Sequence, residues 1–169
     1  MNRALEPAIA AMEDCGLMFD ALVRAHQLPV LADFARRHPS LQIVINHAAK
    51  PDIMAGEIEK WSADLAILSA MPNICCKLSG LVTEASAHWT IEDIAPYISH
   101  VLTSFGPDRV IWGSDWPVML LHADYAGWMQ AAEQLLAQLD ARERAGIFGL
   151  NAARVYRINQ GRNISSEAI

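Results

Sequence analysis

An acidic residue stands in a tight corner directly after a short run of apolar residues. Val110, Ile111 and Trp112 predict a buried strand, and the sequence Gly-Ser-Asp-Trp-Pro follows at 113–117. The glycine permits a backbone turn that a side chain would obstruct, and the proline ends the strand because it has no amide hydrogen. Asp115 is therefore predicted where α/β enzymes hold a general base or a metal ligand. The alternative is that Asp115 only caps the next helix.

Further polar side chains follow the other predicted strands at the same end. Because the carboxyl ends of parallel strands meet along one rim, these side chains are expected to share a site with Asp115. They are Arg24 and His26 after the first strand, His47 and Lys50 after the second, Lys77 and Ser79 near the end of the third, and Ser114 and Trp116 beside Asp115. As alternatives, His26 could cap a helix, His47 could be a core histidine, and Lys50 could be solvated. Lys77 interrupts an apolar strand, so it requires a partner or a wet cavity.

This combination of one carboxylate with imidazoles and lysines suits the hydrolysis of a carbonyl compound. Asp115 could deprotonate water as it attacks, while cationic side chains stabilise the oxyanion that forms. A bound metal could do both jobs. Imidazole and carboxylate are ordinary zinc ligands, so His47 and Asp115 are the candidate ligands if a divalent metal such as zinc binds.

Strand-like and helical segments alternate along the chain, as is typical of parallel β/α units. The predicted strands span 17–24, 41–46, 74–78 and 109–112, and the predicted helices span 4–14, 29–37, 57–71, a segment opened by a Thr90–Asp93 capping box, 124–139 and 141–157. Four units make half of an eight-stranded barrel, which needs about 250 residues in full. A small open α/β sheet is the competing architecture. The sequence contains no glycine-rich phosphate loop, which weakens any nucleotide-binding alternative.

Composition narrows the class of protein and its partners. The 169 residues suffice for one domain, and 53% of them are hydrophobic, which fits strands buried on both faces. The net charge of −6 and the lack of a basic run argue against nucleic acid, and no apolar stretch is long enough to span a membrane. The first residues lack a signal-peptide core, so a cytoplasmic location is expected. Cys15, Cys75 and Cys76 suggest neither a disulfide framework nor a zinc knuckle.

Five motifs give the chain a resemblance to a known family. They are FDALVRAHQLP at 19–29, VINHAAKP at 44–51, CKLSGLVTE at 76–84, FGPDRVIWGSDWP at 105–117 and NAARVY at 151–156. Over about residues 5–158 the sequence resembles the amidohydrolase-related family of TIM-barrel hydrolases. Within that family it is most similar to the L-fuconolactonase and sugar-lactonase group, which itself resembles 2-pyrone-4,6-dicarboxylate lactonase.

The resemblance implies a role for several of these residues. Asp115 matches the aspartate of the family's last strand, which activates water, and His47 matches the sixth-strand histidine near the substrate carbonyl. His26 matches a position at the end of the fifth strand, which completes the expected catalytic set. The expected substrate-binding residues are Arg24, Lys50, Lys77, Ser114 and Trp116. The parent superfamily is metal-dependent and this group often is not, so no cofactor is certain and zinc stays an option.

The sequence departs from the family pattern beside the expected sixth-strand histidine. The family usually has Asp-His there, whereas this chain has Asn46-His47, and the lost charge should leave the histidine less firmly oriented or less basic. Ala48 and Ala49 stand where relatives often have a glycine, which narrows the expected approach to Lys50.

Length is the larger departure. The family opens with a His-x-His strand that this sequence lacks, so residues 1–169 are expected to be one truncated domain holding barrel strands five to eight, with a frayed tail at 159–169. Four strands leave two unpaired edges. Hydrolysis of a small-molecule lactone would then require self-association or an amino-terminal half-barrel partner. The alternatives are a catalytically incomplete remnant that serves only in assembly and, less favoured, a metal-dependent decarboxylase of the same family.

Overall fold

Four parallel strands form a single sheet in the computed structural model, which describes residues 3–158. The strands are β1 Met18–Ala21, β2 Gln42–Ile45, β3 Ile74–Leu78 and β4 Val110–Trp112. They lie side by side in chain order, and every neighbouring pair is parallel. This arrangement confirms the predicted parallel β/α units, because each unit adds its strand directly beside the preceding one.

Each predicted helical segment contains a helix, most with shorter ends. The helices are α1 Glu6–Asp14, α2 Leu28–Arg37, α3 Glu59–Ser69, α4 Leu81–Glu84, α5 Ile91–Phe105, α6 Tyr125–Leu135, α7 Ala141–Ala145 and α8 Asn151–Val155. Helix α2 begins one residue earlier than predicted, and the short α4 was not predicted. The predicted capping box is present, since the Thr90 amide donates to Asp93 Oδ2 at 2.7 Å. A π-helical segment, Gly146–Leu150, interrupts the helix predicted over 141–157. Within residues 3–158, no helix has both the length and the apolar character that crossing a bilayer requires.

The main core lies between the helices and the outer face of the sheet. Alternate side chains of β2 and β3, including Ile43, Ile45 and Ile74, are fully buried there. Leu65 of α3 and Trp128 of α6 pack into the same core and are also fully buried. Because neighbouring residues of a strand point to opposite faces, this packing leaves the other face of the sheet to be covered separately.

The inner face of the sheet carries a second, smaller apolar cluster. Val44, Cys75 and Ile111 form it together with Val155, the last residue of α8, and Tyr156 packs against its margin. The carboxyl-terminal helix therefore covers part of the face that would line the interior of a barrel. Burial raises the pKa of the Cys75 thiol, which fits the expectation that this residue behaves as a small hydrophobe.

Asn151 ties α8 to the start of β4. Its buried side-chain amide donates to the carbonyl oxygens of Pro107 and Val110, both at 2.8 Å. We expect Asn151→Ala to lower the free energy of unfolding by about 2 kcal/mol, because the buried Val110 carbonyl and the partly buried Pro107 carbonyl lose their donor. Chemical denaturation measures this change, and the exposed Gln138→Ala is a matched control expected to stay within about 0.5 kcal/mol of the parent. Equal stability of the two variants would contradict the assigned tether.

The tail predicted over 159–169 lies outside the described residues. The predicted first strand extends only to Ala21, and the exposed Leu22 and half-buried Val23 lead into a short 3₁₀ turn at Ala25–Gln27. The apolar run was therefore longer than the strand, because apolar character does not distinguish paired from unpaired extended chain.

Candidate functional site

The carboxyl end of the sheet brings His47 and Asp115 together. Nε2 of His47 lies 3.6 Å from Oδ1 of Asp115, and their side chains are 17% and 13% exposed. The first follows β2 and the second follows β4, so the contact joins two loops across the intervening strand. If His47 and Asp115 share a site, as the sequence predicts, their side chains must lie close together, and they do.

A left-handed turn after β2 sets the direction of His47. Four successive residues without a glycine, 47–50, have φ between 46° and 61°. This region costs an ordinary residue about 1–2 kcal/mol, so surrounding contacts must hold the turn. Trp61 supplies one of them, since its indole Nε1 donates to the Ala48 carbonyl at 2.7 Å. The strained turn is thus fixed by α3, and it presents His47 and Lys50 at the rim.

Asp115 is positioned by the corner that the sequence analysis identified. It has a φ of 60°, a left-handed conformation that aspartate tolerates better than most residues. The buried Trp128 donates to the Gly113 carbonyl at 3.1 Å and thereby holds the corner from behind. The short helix that follows, Val118–Leu121, has no side-chain cap, so the alternative that Asp115 caps it is not observed.

Ser79 and Gly80 complete the neighbourhood of the pair. Oγ of Ser79, a residue that is 1% exposed, lies 2.8 Å from Nδ1 of His47. Gly80 has a φ of 65°, and a Cβ built there would lie 2.8 Å from Nδ1 of His47 and 3.0 Å from Oδ2 of Asp115. The sequence alone places Ser79 at this rim but indicates no role for Ser79 or for Gly80. The Leu-Ser-Gly end of β3 was the available signal.

Both candidate lysines have acidic partners. Lys50 Nζ lies 2.9 Å from Glu84 Oε1. Lys77 Nζ lies 3.5 Å from Asp20 Oδ1 and 5.3 Å from the centre of the Tyr156 ring. Lys77, which interrupts an apolar strand, therefore has an acidic partner on the inner face of the sheet.

Arg24, His26 and Lys50 line an open cavity of about 270 Å³. Its other walls come from Ala25, Asp52, Glu57, Lys60 and Trp61. Helix α2, which follows His26, has no side-chain cap, so the capping alternative for this histidine is not observed. The structure thus places His26 with Arg24 and Lys50 in this cavity, and Lys50 follows the same turn as His47.

Ser114 and Trp116 lie in the Asp115 corner. The Ser114 hydroxyl accepts a hydrogen bond from the Trp116 amide at 3.2 Å, and the Trp116 side chain is 66% exposed. His122, which follows this corner in the sequence, lies with Nδ1 3.1 Å from the Val82 carbonyl. An exposed indole beside a buried carboxylate is available for an apolar contact with a bound molecule.

The environment of His47 favours the neutral imidazole. Burial lowers the pKa of His47; Asp115 opposes this effect, and the cations Lys50 and Lys77 lower the pKa further. A histidine with a lowered pKa is neutral near pH 7, and its protonated ring nitrogen can then donate a hydrogen bond.

The lowered pKa of His47 predicts a specific dependence of stability on pH. As pH falls below about 6.5, the unfolded chain binds the proton before the native chain does, so the native state loses stability from there down to the folded pKa. Above about pH 6.5, His47 is neutral in both states, and its contribution to stability is fully retained. We expect His47→Gln to flatten this part of the curve of unfolding free energy against pH. The exposed His88→Gln should leave the curve unchanged, and parallel curves for parent and His47→Gln would contradict the assignment.

The described residues do not by themselves fit a zinc centre. Catalytic zinc uses three protein ligands and an open position. His47 and Asp115 offer two donors, and residues 3–158 contain no cluster of three or more histidine, cysteine, aspartate or glutamate side chains arranged for a metal.

Comparison with known proteins identifies the family. A family model described as "Amidohydrolase" matches residues 2–158. The chain belongs to the amidohydrolase family. It is 49% identical over 160 residues to an L-fucono-1,5-lactonase of Burkholderia ambifaria, a match that covers 92% of this chain and 55% of that protein. It is 36% identical to an L-fucono-1,5-lactonase of Burkholderia multivorans, covering 88% of this chain and 54% of that protein.

A solved amidohydrolase shares the fold of this chain. The crystal structure of an amidohydrolase from Burkholderia multivorans with bound zinc superposes with a TM-score of 0.89 at 34% identity, covering 94% of this chain and 58% of that one. The amidohydrolase chain described here therefore spans about half the length of the curated relatives that it matches. These findings confirm the predicted family and the four β/α units of a TIM-barrel fold.

Proposed function

We propose that this amidohydrolase chain takes part in the hydrolysis of a cyclic ester of the sugar-lactone class. The contact between His47 and Asp115 at the carboxyl end of the sheet carries the proposal. A carboxylate can deprotonate water, while the N–H of a neutral imidazole beside it donates a hydrogen bond to the carbonyl oxygen. The 49% identity to an L-fucono-1,5-lactonase supports a lactone rather than another carbonyl compound.

In the proposed reaction, the Asp115 carboxylate both takes the proton from water and returns it to the leaving group. Asp115 accepts a proton from water as the water oxygen bonds to the lactone carbonyl carbon. His47 stabilises the oxyanion of the tetrahedral intermediate. The ring carbon–oxygen bond then breaks, and protonated Asp115 returns its proton to the leaving alkoxide, which gives the open hydroxy acid. Each step conserves atoms and electrons and leaves Asp115 ionised for the next turnover.

We further propose that the cavity lined by Arg24, His26 and Lys50 binds the hydroxyl-bearing part of the lactone. Its volume of about 270 Å³ accommodates a molecule of sugar size. Arg24, His26 and Lys50 supply hydrogen-bond donors for hydroxyl or carbonyl oxygens. Trp116 and Ser114 bound the opposite side of the proposed site. Lys77 contributes through its positive charge, which acts on His47.

Among the described residues, the outer sides of β1 and β4 are unpaired, so the proposed active site needs further strands to be complete. Within residues 3–158 the sheet stops at these two strands, whereas a closed barrel pairs every strand. We propose that further strands pair there, supplied by other residues of the same protein, by a second copy or by a half-barrel partner. From the sequence, we also propose a small-molecule substrate and a cytoplasmic location.

Release of acid from lactones tests the proposed reaction. The chain is incubated separately with 1,5-aldonolactones, with a simple amide and with a hydroxybenzoate. The release of acid and of carbon dioxide is measured, and the mass of the protein in solution is determined. Acid release from lactones above the spontaneous rate is expected. Carbon dioxide release from the aromatic acid would favour the decarboxylase alternative. A folded monomer without turnover would favour the remnant and contradict the proposal.

Lys50 gives a matched test of the proposed cavity. We expect Lys50→Met to lower kcat/KM for the lactone about 10- to 100-fold, because a charge-assisted hydrogen bond to a substrate oxygen is lost. Lys60 lines the same cavity, but its side chain is 77% exposed against 22% for Lys50, so Lys60→Met is the control expected to change kcat/KM less than about threefold. Similar losses in the two variants would contradict a direct role for Lys50.

A further inference from the structure

We propose that Ser79 is a positioning residue that holds His47 in one neutral tautomer, with the proton on Nε2. The hydroxyl of Ser79 donates to Nδ1 of His47, and Nε2–H then points to the side of the ring that Asp115 faces. The catalytic consequence rests on the proposed lactone hydrolysis, whereas the tautomer itself is a property of the folded chain and can be measured without substrate.

The two ring nitrogens of His47 have unlike neighbours. Nδ1 lies 2.8 Å from the Ser79 hydroxyl, which can donate or accept, and the Ser79 backbone has a smaller hydrogen-bonding effect that raises the pKa of His47. Nε2 lies 3.6 Å from Oδ1 of Asp115, a group that when ionised can only accept. A lone pair on Nε2 would face the negative carboxylate, while an N–H on Nε2 is attracted to it. The electrostatics therefore place the proton on Nε2, and Nδ1 then requires a donor.

Ser79 is the donor that Nδ1 requires. It is 1% exposed, so bulk water does not compete for its hydroxyl. Among the described residues, Nδ1 of His47 is the hydrogen-bond partner that the structure gives the Ser79 hydroxyl.

Two glycines keep the serine and the ring in contact. A Cβ at Gly113 would lie 3.2 Å from Cβ of Ser79, and a Cβ at Gly80 would lie 2.8 Å from Nδ1 of His47. Contacts below about 3.4 Å leave no room for a methyl group without displacement of the neighbour. The absence of side chains at both positions thus lets Ser79 approach the ring to hydrogen-bond distance.

The tautomer fixes what His47 can do. With the proton on Nε2, the nitrogen that faces Asp115 is a hydrogen-bond donor for the developing oxyanion and leaves the carboxylate to act as base. The same nitrogen has no lone pair for a metal, which agrees with the poor fit of a zinc centre to the described residues. Removal of the hydroxyl should allow both tautomers, so that only part of the population is catalytically competent.

The tautomer is read directly from nitrogen chemical shifts. Long-range proton–nitrogen correlation spectra are recorded on the full ¹⁵N-labelled chain at mildly alkaline pH, with His47 assigned by its loss in His47→Gln. The parent is expected to show a protonated Nε2 and an unprotonated Nδ1. Ser79→Ala should move both shifts towards averaged values, while Ser79→Thr, which keeps the hydroxyl, should restore them. Ser69→Ala removes another buried hydroxyl, one bonded to the Ala66 carbonyl, and should change neither shift.

Two spectral results would overturn the proposal. One is a proton on Nδ1 in the parent, and the other is an unchanged His47 tautomer in a folded Ser79→Ala. In the lactone assay, Ser79→Ala is expected to lower kcat about 10- to 100-fold with KM changed less than threefold. If the parent lacks lactone hydrolysis but shows the Nε2–H tautomer that Ser79→Ala loses, the proposed reaction fails and the role of Ser79 stands.

Discussion

Asp115→Asn is expected to reduce lactone hydrolysis by about 10²- to 10⁴-fold while the chain stays folded. This range is the usual contribution of a general base to the rate. The amide has the shape of the carboxylate but cannot accept the proton of the attacking water. Asparagine also tolerates the left-handed backbone that residue 115 adopts, with a φ of 60°, so the corner itself should survive.

The Asp115→Asn result is measured as kcat and kcat/KM for an aldonolactone, beside circular dichroism and denaturation of the same sample. Asp33→Asn is the matched control, because Asp33 is exposed on α2 and forms its ion pair with Arg36. The control should keep full activity. Retention of more than a tenth of the parent activity in Asp115→Asn would mean that another group takes the proton, and it would reject the proposed base.

The contact between His47 and Asp115 was predictable because it follows from topology. Parallel strands in chain order bring their carboxyl ends to one rim, and each residue stands within three positions of a strand end. The capping box of α5 was predictable for a local reason, since Thr90 and Asp93 contact each other within a single helical turn. Both predictions required only local sequence and the order of strands.

The details around that contact depend on packing between distant segments. The hydrogen bond from Ser79 to His47 joins residues 32 positions apart, and it exists because Gly80 and Gly113 leave space for it. The left-handed turn at 47–50 contains no glycine, so propensity alone does not predict it. The indole of Trp61, which holds that turn, lies on a helix whose rotation is set by the core.

The inner face of the sheet could not be deduced from apolar patterns either. Lys77 was expected to have a partner, but the partner, Asp20, lies 57 positions away and is shared with Tyr156 at 2.7 Å. The pattern over 141–157 predicted a helix without indicating that its end would pack on Val44, Cys75 and Ile111. Periodicity reports which side of an element is apolar, but it does not report which surface that side meets.

Gly80→Ala is expected to abolish most of the activity for a reason that differs from the loss of a base. The new methyl group would lie 2.8 Å from Nδ1 of His47 and 3.0 Å from Oδ2 of Asp115, so one of the two must move. A displacement of about 1 Å at reacting groups can cost about 10²-fold in rate. The variant also forces a side chain into φ +65°, which costs about 1–2 kcal/mol of stability.

Gly56→Ala separates these two effects of a methyl group. Gly56 has a similar φ of +69°, but a Cβ there meets nothing within 4 Å. Both variants should therefore lose about the same stability in denaturation, while only Gly80→Ala should lose about 10²-fold in kcat. Because the strain is matched, the difference in kcat isolates the contact with His47 and Asp115. Equal kcat values in the two variants would show that the close packing of Gly80 on the pair has no part in the chemistry.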